Sequence, residues 1–361
     1  MSEWKECKLG EFISLEYGKS LRDYQGSDGK YPVYGTNGKI GKTDRFLSSI
    51  PSIIIGRKGA YRGVHFSQLP FYVIDTAFYV KTKSDEIDLL FLYNFFLTQD
   101  INAMDSGSAI PSTDRYEIYE LVIKLPPLAE QRAIASMLSS LDNKIDLLHR
   151  QNKTLEAMAE TLFRQWFVEE TDETKQTTLE AFADNIKVIA KVVDLKTHEH
   201  YVGLEHIPRK SIALSSWGDT GTLESNKSVF EKNDILFGKL RSYFHKVVFA
   251  PIQGVCSTDI LVIRPKKPEF FSFCLFWFFN KDVVEHSDLG SGGTRMPRTN
   301  WEIISSYRIP VPDLSLIAEF DKIVRPMIDK ITSNVKQIHS LEKLRDTLLP
   351  KLMSGEVRVA V

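Results

Sequence analysis

The sequence predicts an α+β protein in which two similar α/β-mixed domains are separated by two long antiparallel coiled-coil helices, the whole forming a pseudo-twofold internal repeat. Three observations predict this. Between Leu128 and Phe167, the residues Ile134, Leu138, Leu141, Ile145, Leu148, Asn152, Leu155, Ala159, Leu162 and Trp166 follow one another at alternating steps of four and three, the seam of a coiled-coil helix. Between Leu314 and Met353 the same alternation runs through Phe320, Val324, Met327, Ile331, Asn334, Ile338, Leu341, Leu348 and Leu352. The two stretches are also copies. Ile145 and Ile331, Leu155 and Leu341, and Leu162 and Leu348 are all separated by one and the same displacement, and LeuGlu at 155–156 recurs at 341–342.

In chain order, residues 1–125 form a first domain. Short β-branched and aromatic runs, YPVYG, SIIIG, FYVID and LVIKL, alternate with Gly, Pro, Asn and Asp, the mark of strands joined by turns. Ile87–Leu97 is dense enough in apolar residues for a buried helix. ProPro at 126–127 closes the domain, and residues 126–170 form the first spacer helix. A polar, acidic link follows, and the first pattern returns in a second domain, 171–311. There Gly238 and Tyr243 repeat Gly56 and Tyr61 at their original spacing, FSFCLFWFF takes the place of LLFLYNFFL, and Pro297, Thr299, Ile304 and Pro312 match Pro111, Thr113, Ile118 and Pro126. Residues 312–361 form the second helix and a tail.

Antiparallel pairing lets each seam cover the other. The register expected is Asn152 against Asn334, a buried polar pair that fixes alignment, with Leu155 against Ile331, Leu148 against Ile338, Ile145 against Leu341 and Trp166 against Phe320. Arg345 falls opposite Leu141 as the one awkward layer. Each helix of about 40 residues would run roughly 60 Å. Pro326 stands where the first helix has Ser140, so a kink or a late start is expected there.

Apolar residues at 43% and charged residues at 26% suit folded domains rather than disorder. The formal net charge of -1 supplies no global attraction to polyanions, so any nucleic-acid surface must be a local patch. Cys7, Cys256 and Cys274 lack the close pairs of a structural metal site or disulfide framework and are read as reduced and structural. The charged N-terminus and the shortness of the most apolar run, Phe270–Phe279, argue for a cytoplasmic protein without a membrane span. Catalytic signatures are missing. Gly35, Gly38 and Gly41 match neither a dinucleotide fingerprint nor a P-loop, no Asn or Asp precedes the prolines of 126–127 as an amino-methyltransferase tetrapeptide requires, and the eight histidines, His198 and His200 included, show no ligand spacing. No catalytic, metal or cofactor residues are assigned.

Basic and aromatic clusters are more informative. Lys39, Lys42, Arg45, Arg57, Lys58 and Arg62 stand against the single acid Asp44, with Tyr61 and His65 among them. The second half holds Lys239, Arg241, Tyr243, His245 and Lys246 at corresponding places. Lys and Arg neutralise phosphates, and Arg reads guanine edges. A second matched pair, SGSAIPSTDRY and SGGTRMPRTNWE, offers small residues for close approach and Ser108, Thr113, Thr294, Arg295, Arg298, Thr299 and Asn300 as donors. These residues are expected to contact DNA. An ordinary solvated basic face and a plain turn into the last strand are the alternatives.

The texts IKLPPLAEQRAIASMLSSLDNKIDLLHRQNKTLEAMAETLFRQWF and LEKLRDTLLPKLMSGEV, each following a domain that ends in Pro-rich sequence, resemble the specificity subunits of type I restriction–modification systems. The resemblance covers almost the whole chain. It implies two target-recognition domains, each reading one half of a bipartite site in double-stranded DNA, with the helices setting the gap. It further implies two modification subunits that bring S-adenosylmethionine and methylate adenine, and, where present, restriction subunits that use ATP and Mg for translocation and cleavage. The chain itself would carry no cofactor and catalyse nothing. In the second copy SerLeuIleAla at 315–318 replaces AlaGluGlnArg at 129–132, so a partner contact made by Glu130, Gln131 and Arg132 would be lost or changed on that side. The alternatives left open are the specificity component of a type IIB or IIG restriction enzyme, a coiled-coil scaffold that binds only proteins, and a stand-alone enzyme.

Overall fold

The structure is a computed structural model and describes residues 4–104, 111–169, 174–291 and 296–360. It divides into two compact units, residues 1–144 with 341–361, and residues 145–340. The four consecutive spans expected from the sequence are therefore regrouped, because each long helix gives one end to each unit.

In the first unit, β1 (Lys5–Lys8) is followed by β2 (Ile13–Tyr17), β3 (Tyr31–Gly35), β4 (Gly38–Thr43), β5 (Ser52–Gly56), β6 (Val64–Ser67), β7 (Tyr72–Val73), β8 (Ala77–Thr82), α1 (Leu89–Leu97), α2 (Arg115–Tyr119) and β9 (Val122–Leu125). One sheet has the order β2-β8-β5-β6, a second β4-β3-β7, and β1 pairs with β9 so that Cys7 faces Ile123. Strand β5 shows why SIIIG reads as a continuous apolar run. Ile53 and Ile55 point into the main core and Ile54 into a smaller one with Tyr34, Phe71 and Val73, as the two-residue period of a strand buried on both faces requires. Helix α1 begins at Asp88, whose carboxylate accepts from the Leu90 and Phe91 amides at 3.0 and 2.9 Å. It buries Phe91, Leu92, Phe95 and Phe96.

Helix α3 (Leu128–Arg164) then starts at the prolines, passes from the first unit into the second, and ends in a π-helical turn, Gln165–Glu169. In the first unit it contributes Ile134 and Leu138 to the core, where the last helix contributes Leu352 and Met353.

The second unit holds β10 (Gln176–Thr178), β11 (Ala183–Ile186), β12 (Ile189–Ala190), β13 (Tyr201–Val202), β14 (Lys227–Phe230), β15 (Ile235–Gly238), β16 (Val247–Phe249), β17 (Gly254–Cys256), β18 (Ile260–Pro265), α4 (Phe271–Phe279), α5 (Lys281–Leu289), α6 (Trp301–Ser305) and β19 (Arg308–Pro310). Its main sheet, β11-β18-β15-β16, repeats the order β2-β8-β5-β6, and β10 pairs with β19 as β1 does with β9. The second sheet is larger, β12-β14-β17-β13, yet keeps one parallel pair, β13 with β17, as the first unit keeps β3 with β7. Helix α5 has no counterpart among the described residues of the first half.

Helix α7 (Leu314–Ser354) closes the chain. It runs through Pro326 without the late start expected from the sequence. Proline removes one backbone donor, but Pro326 is exposed, so the freed carbonyl one turn earlier remains open to water. Within the second unit the Asn334 amide donates to Asn152 Oδ1 at 2.7 Å and to Gln151 Oε1 at 2.9 Å, and the ring of Trp166 lies 5.9 Å from that of Phe320. The residues of α3 that descend from 166 to 152 thus meet those of α7 that ascend from 320 to 334, so the segments are antiparallel. Phe163, Phe167, Phe273, Phe276 and Phe320 form the aromatic centre of this core. Within the first unit Arg345 escapes its awkward seam position by reaching Asp142 at 3.0 Å.

Candidate nucleic-acid interface

The loop that leaves β5 and the segment that enters α2 are far apart in sequence but stitched together in the first unit. The Gly59 amide donates to the Pro111 carbonyl at 2.9 Å, the Thr113 amide donates to the Arg57 carbonyl at 2.9 Å, and Lys58 and Ser112 form a β-bridge between them. The second unit repeats this bond for bond. The Arg241 amide donates to Pro297 at 2.9 Å, the Thr299 amide to Lys239 at 3.2 Å, and Leu240 bridges Arg298. The two clusters singled out separately in the sequence are one surface in each unit. Gly59 takes a positive φ of 113° at this crossing, and Arg241 at the matching place takes 52°. The second unit thus holds an ordinary side chain in the left-handed region, a strain commonly kept at functional loops.

Tyr61 projects from the first loop with 77% of its surface exposed, and Tyr243 from the second with 51%. They occupy the same place in both copies of the repeat. An exposed aromatic ring among cations contributes little to a fold and suits contact with sugars and bases. Lys39 and Lys42 are exposed on β4, and Arg45 is exposed just beyond it. Lys58 is half-buried, with its ammonium 3.8 Å from the Asp75 carboxylate. The guanidinium of Arg57 lies 4.7 Å from the centre of the Tyr17 ring. In the second unit Lys239 and Arg241 are half-buried, and Arg298 is held at 3.1 Å by Asp259. Asn300 is exposed but caps α6, accepting from the Ile303 amide at 3.0 Å.

Several residues expected to meet DNA are turned inward. Arg62 is 3% exposed, its guanidinium donating to the Asn102 carbonyl at 2.7 Å while its backbone amide donates to the Asn102 side chain at 2.7 Å. It holds the loop to the end of the helical region rather than facing solvent. His245 is buried with Nε2 2.7 Å from the Phe279 carbonyl, and burial pulls its pKa down, so it is neutral at pH 7. Thr113 and Thr299 are also buried. His65 is half-buried and its pKa is likewise lowered by burial. Lys246 donates to the Leu204 carbonyl, and burial lowers its pKa as well. The reason is common to all of these: a short loop folded against its own domain must turn part of its side chains inward, and charge alone does not say which. Ser108, Thr294 and Arg295 lie outside the described residues.

Glu130 and Gln131, expected at a partner contact, are also turned inward. Glu130 accepts from Arg358 at 2.6 and 2.7 Å and from Trp4 at 3.3 Å, and the Arg358 guanidinium holds its carboxyl below the usual carboxylate range. Gln131 is fully buried, donating to the Glu86 and Pro126 carbonyls at 2.8 and 2.9 Å and accepting from the Asp88 amide at 2.8 Å. Both work inside the first unit and are not free to meet a partner.

Sequence reasoning did not bring Tyr17 to this surface, where the guanidinium groups of Arg57 and Arg115 lie 4.7 and 5.3 Å from its ring. Tyr17 ends a strand far ahead of the other two in the chain, and no local signal brings them together. Among the described residues, no group of three or more His, Cys, Asp or Glu could hold a metal ion, and no helix is long and apolar enough to cross a membrane.

Comparison with known proteins agrees with this duplicated architecture. The type I restriction modification DNA specificity domain matches residues 1–157 and again 174–343. The MjaIX specificity subunit of Methanocaldococcus jannaschii is 26% identical, over 74% of this chain and 69% of its own. The EcoDI specificity subunit of Escherichia coli is 24% identical, over 98% of this chain and 89% of its own. The crystal structure of the type I restriction–modification S subunit from M. genitalium has the same fold, with a TM-score of 0.68 at 20% identity over 97% of this chain and 96% of that one. With two copies of the specificity domain in tandem, two matched sheets and two matched loop crossings, the chain belongs to the type I restriction modification DNA specificity family.

Proposed function

We propose that this chain is the non-catalytic DNA-reading member of a type I restriction–modification complex, and that each unit's loop crossing lies on one half of a bipartite site in double-stranded DNA. The observation that carries the reading is the repeated crossing itself, which presents an exposed tyrosine among basic residues at the same place in both copies. Lys39, Lys42, Arg45 and Lys58 would neutralise phosphates in the first unit, and Lys239, Arg241 and Arg298 in the second. Helices α3 and α7 would set the gap, since each contributes residues to both units as one unbroken helix.

Chemistry would come from partners. Two modification subunits would bring S-adenosylmethionine, and restriction subunits, where present, ATP and Mg. Support for two equal docking places comes from the helices. Met137 and Met158 are exposed on α3, and Ile323 and Leu344, their equivalents in the repeat, are exposed on α7. Repetition of exposed apolar residues at matched positions suits two copies of one partner. The complex would work in the cytoplasm, where its DNA is.

Methylation mapping of the host genome tests the reading. The expected result is modified adenine within a split sequence of two short fixed halves and a fixed gap, lost when this chain's gene is deleted. A single unsplit motif, or methylation unchanged by the deletion, would overturn it.

A further inference from the structure

Two arginines of the first unit converge on one aromatic ring. The guanidinium of Arg57 lies 4.7 Å from the centre of the Tyr17 ring, and that of Arg115 lies 5.3 Å from the same ring and 5.0 Å from the ring of Tyr116. Tyr17 and Tyr116 are both exposed, so the group lies at the surface, contiguous with the loop crossing through Arg57. The nearby acids are engaged elsewhere. Asp75 turns its carboxylate to Lys58 at 3.8 Å and offers Arg57 only its backbone carbonyl, at 3.2 Å, while Asp114 accepts from the Tyr116 amide at the start of α2. Arg115 Nη2 lies 3.2 Å from the Tyr116 hydroxyl, and its Nε is buried without a partner among the described residues. Two guanidinium groups are therefore held beside aromatic faces with no carboxylate among the described residues to neutralise either.

A guanidinium held against a ring has its donors in one plane and loses little side-chain freedom when it binds. A phosphate can be met by any mobile cation. A coplanar pair of acceptors rewards a fixed fork, and the major-groove edge of guanine, with O6 and N7, is the base edge that presents one. Among the described residues the matched positions of the second unit do not repeat this group, although the guanidinium of Arg209 lies 3.8 Å from the centre of the Phe244 ring there. By the repeat, Lys239 stands for Arg57 and Trp301 for Arg115.

We infer that Arg57 and Arg115, held by Tyr17, are specificity-determining residues that read guanine in the half-site taken by the first unit. This deepens the proposed function and rests on it.

The test uses the full chain in complex with its modification subunits and duplexes carrying the mapped site. Each guanine is replaced in turn by 7-deazaguanine, which keeps base pairing and removes the N7 acceptor. The wild-type complex should lose about tenfold or more in affinity at one or two guanines of the half-site taken by the first unit. Arg57→Lys and Arg115→Lys complexes, with unchanged melting temperature, should each become indifferent to the replacement at one of those positions while reading the other half-site as before. Insensitivity of the wild type to every replacement, or variants that weaken all duplexes equally, would reduce the pair to phosphate contacts and overturn the inference while leaving the specificity reading intact. Wild-type binding that shows no preference for the mapped site would overturn both.

Discussion

Asn334 is wholly buried in the second unit, and its amide nitrogen serves both Asn152 and Gln151 while its carbonyl oxygen finds no partner among the described residues. Replacing Asn152 with Leu leaves that amide short of an acceptor in an apolar seam. A loss of about 1–3 kcal/mol is expected in chemical denaturation, and the double change Asn152→Leu with Asn334→Leu should recover much of it, because two apolar groups need no partner. At the other polar centre, Glu130 has its carboxyl pKa depressed, chiefly by hydrogen bonds from Arg358. A depressed folded-state pKa stabilises the native state at pH values above the ordinary carboxylate range, and that stability is lost as pH falls through the depressed value. Glu130→Gln should therefore lower stability at pH 7 and flatten its fall in acid, as followed by thermal unfolding across pH. An unchanged acid limb would show that the Glu130–Arg358 pair carries no linkage. Tyr61 is exposed, so Tyr61→Ala should leave the melting temperature unchanged while weakening the complex on cognate duplex by about tenfold.

At the scale of elements, the β3–β4 hairpin departs from simple alternation: a register shift pairs Lys39 with Tyr34 and Lys42 with Pro32, so two cations three residues apart share a face. Lys39 and Lys42 lie on β4, and Arg45 follows it. If these reach phosphates, changing all three to Gln should weaken binding to every duplex alike, and the slope of log affinity against log salt should shrink by about 2–3, close to 0.9 for each phosphate released. The long helices allow a second experiment. Four residues, roughly one turn and 6 Å, inserted both after Lys144 and after Ser340 lengthen each helix at the boundary between the two units. The preferred gap should grow by about two base pairs, with both half-sites unchanged in methylation maps. A shifted half-site with an unshifted gap would rule out the helices as the measure.

For the molecule as a whole, a net charge of -1 means that affinity for DNA must come from local surfaces, since the average field contributes none. Two modest surfaces on one chain bind strongly only when both can engage together, because the second contact becomes intramolecular after the first. A duplex with one half-site scrambled is therefore expected to bind the complex at least a hundredfold more weakly than the intact site. An equal affinity for both duplexes would mean that a single unit does all the reading.

What the sequence by itself determined about this protein is its repeat, its two seams and its fold class. All three follow from periodicity, and periodicity is local: steps of four and three specify a helix seam, a run such as SIIIG specifies a buried strand, and a fixed displacement specifies duplication. The matched position of Tyr61 and Tyr243 was legible for the same reason. Only the tertiary structure decided which basic side chains face outward, because Arg62 and His245 are turned into their own domain by partners, Asn102 and Phe279, distant in the chain. It alone moved Glu130 and Gln131 from an expected docking surface to the interior of the first unit, where Arg358 and Trp4 approach from the two ends of the sequence. It alone brought Arg57 and Arg115 to Tyr17. Burial and convergence depend on contacts between residues far apart in the chain, and no spacing along a chain encodes which of two basic side chains will meet the solvent.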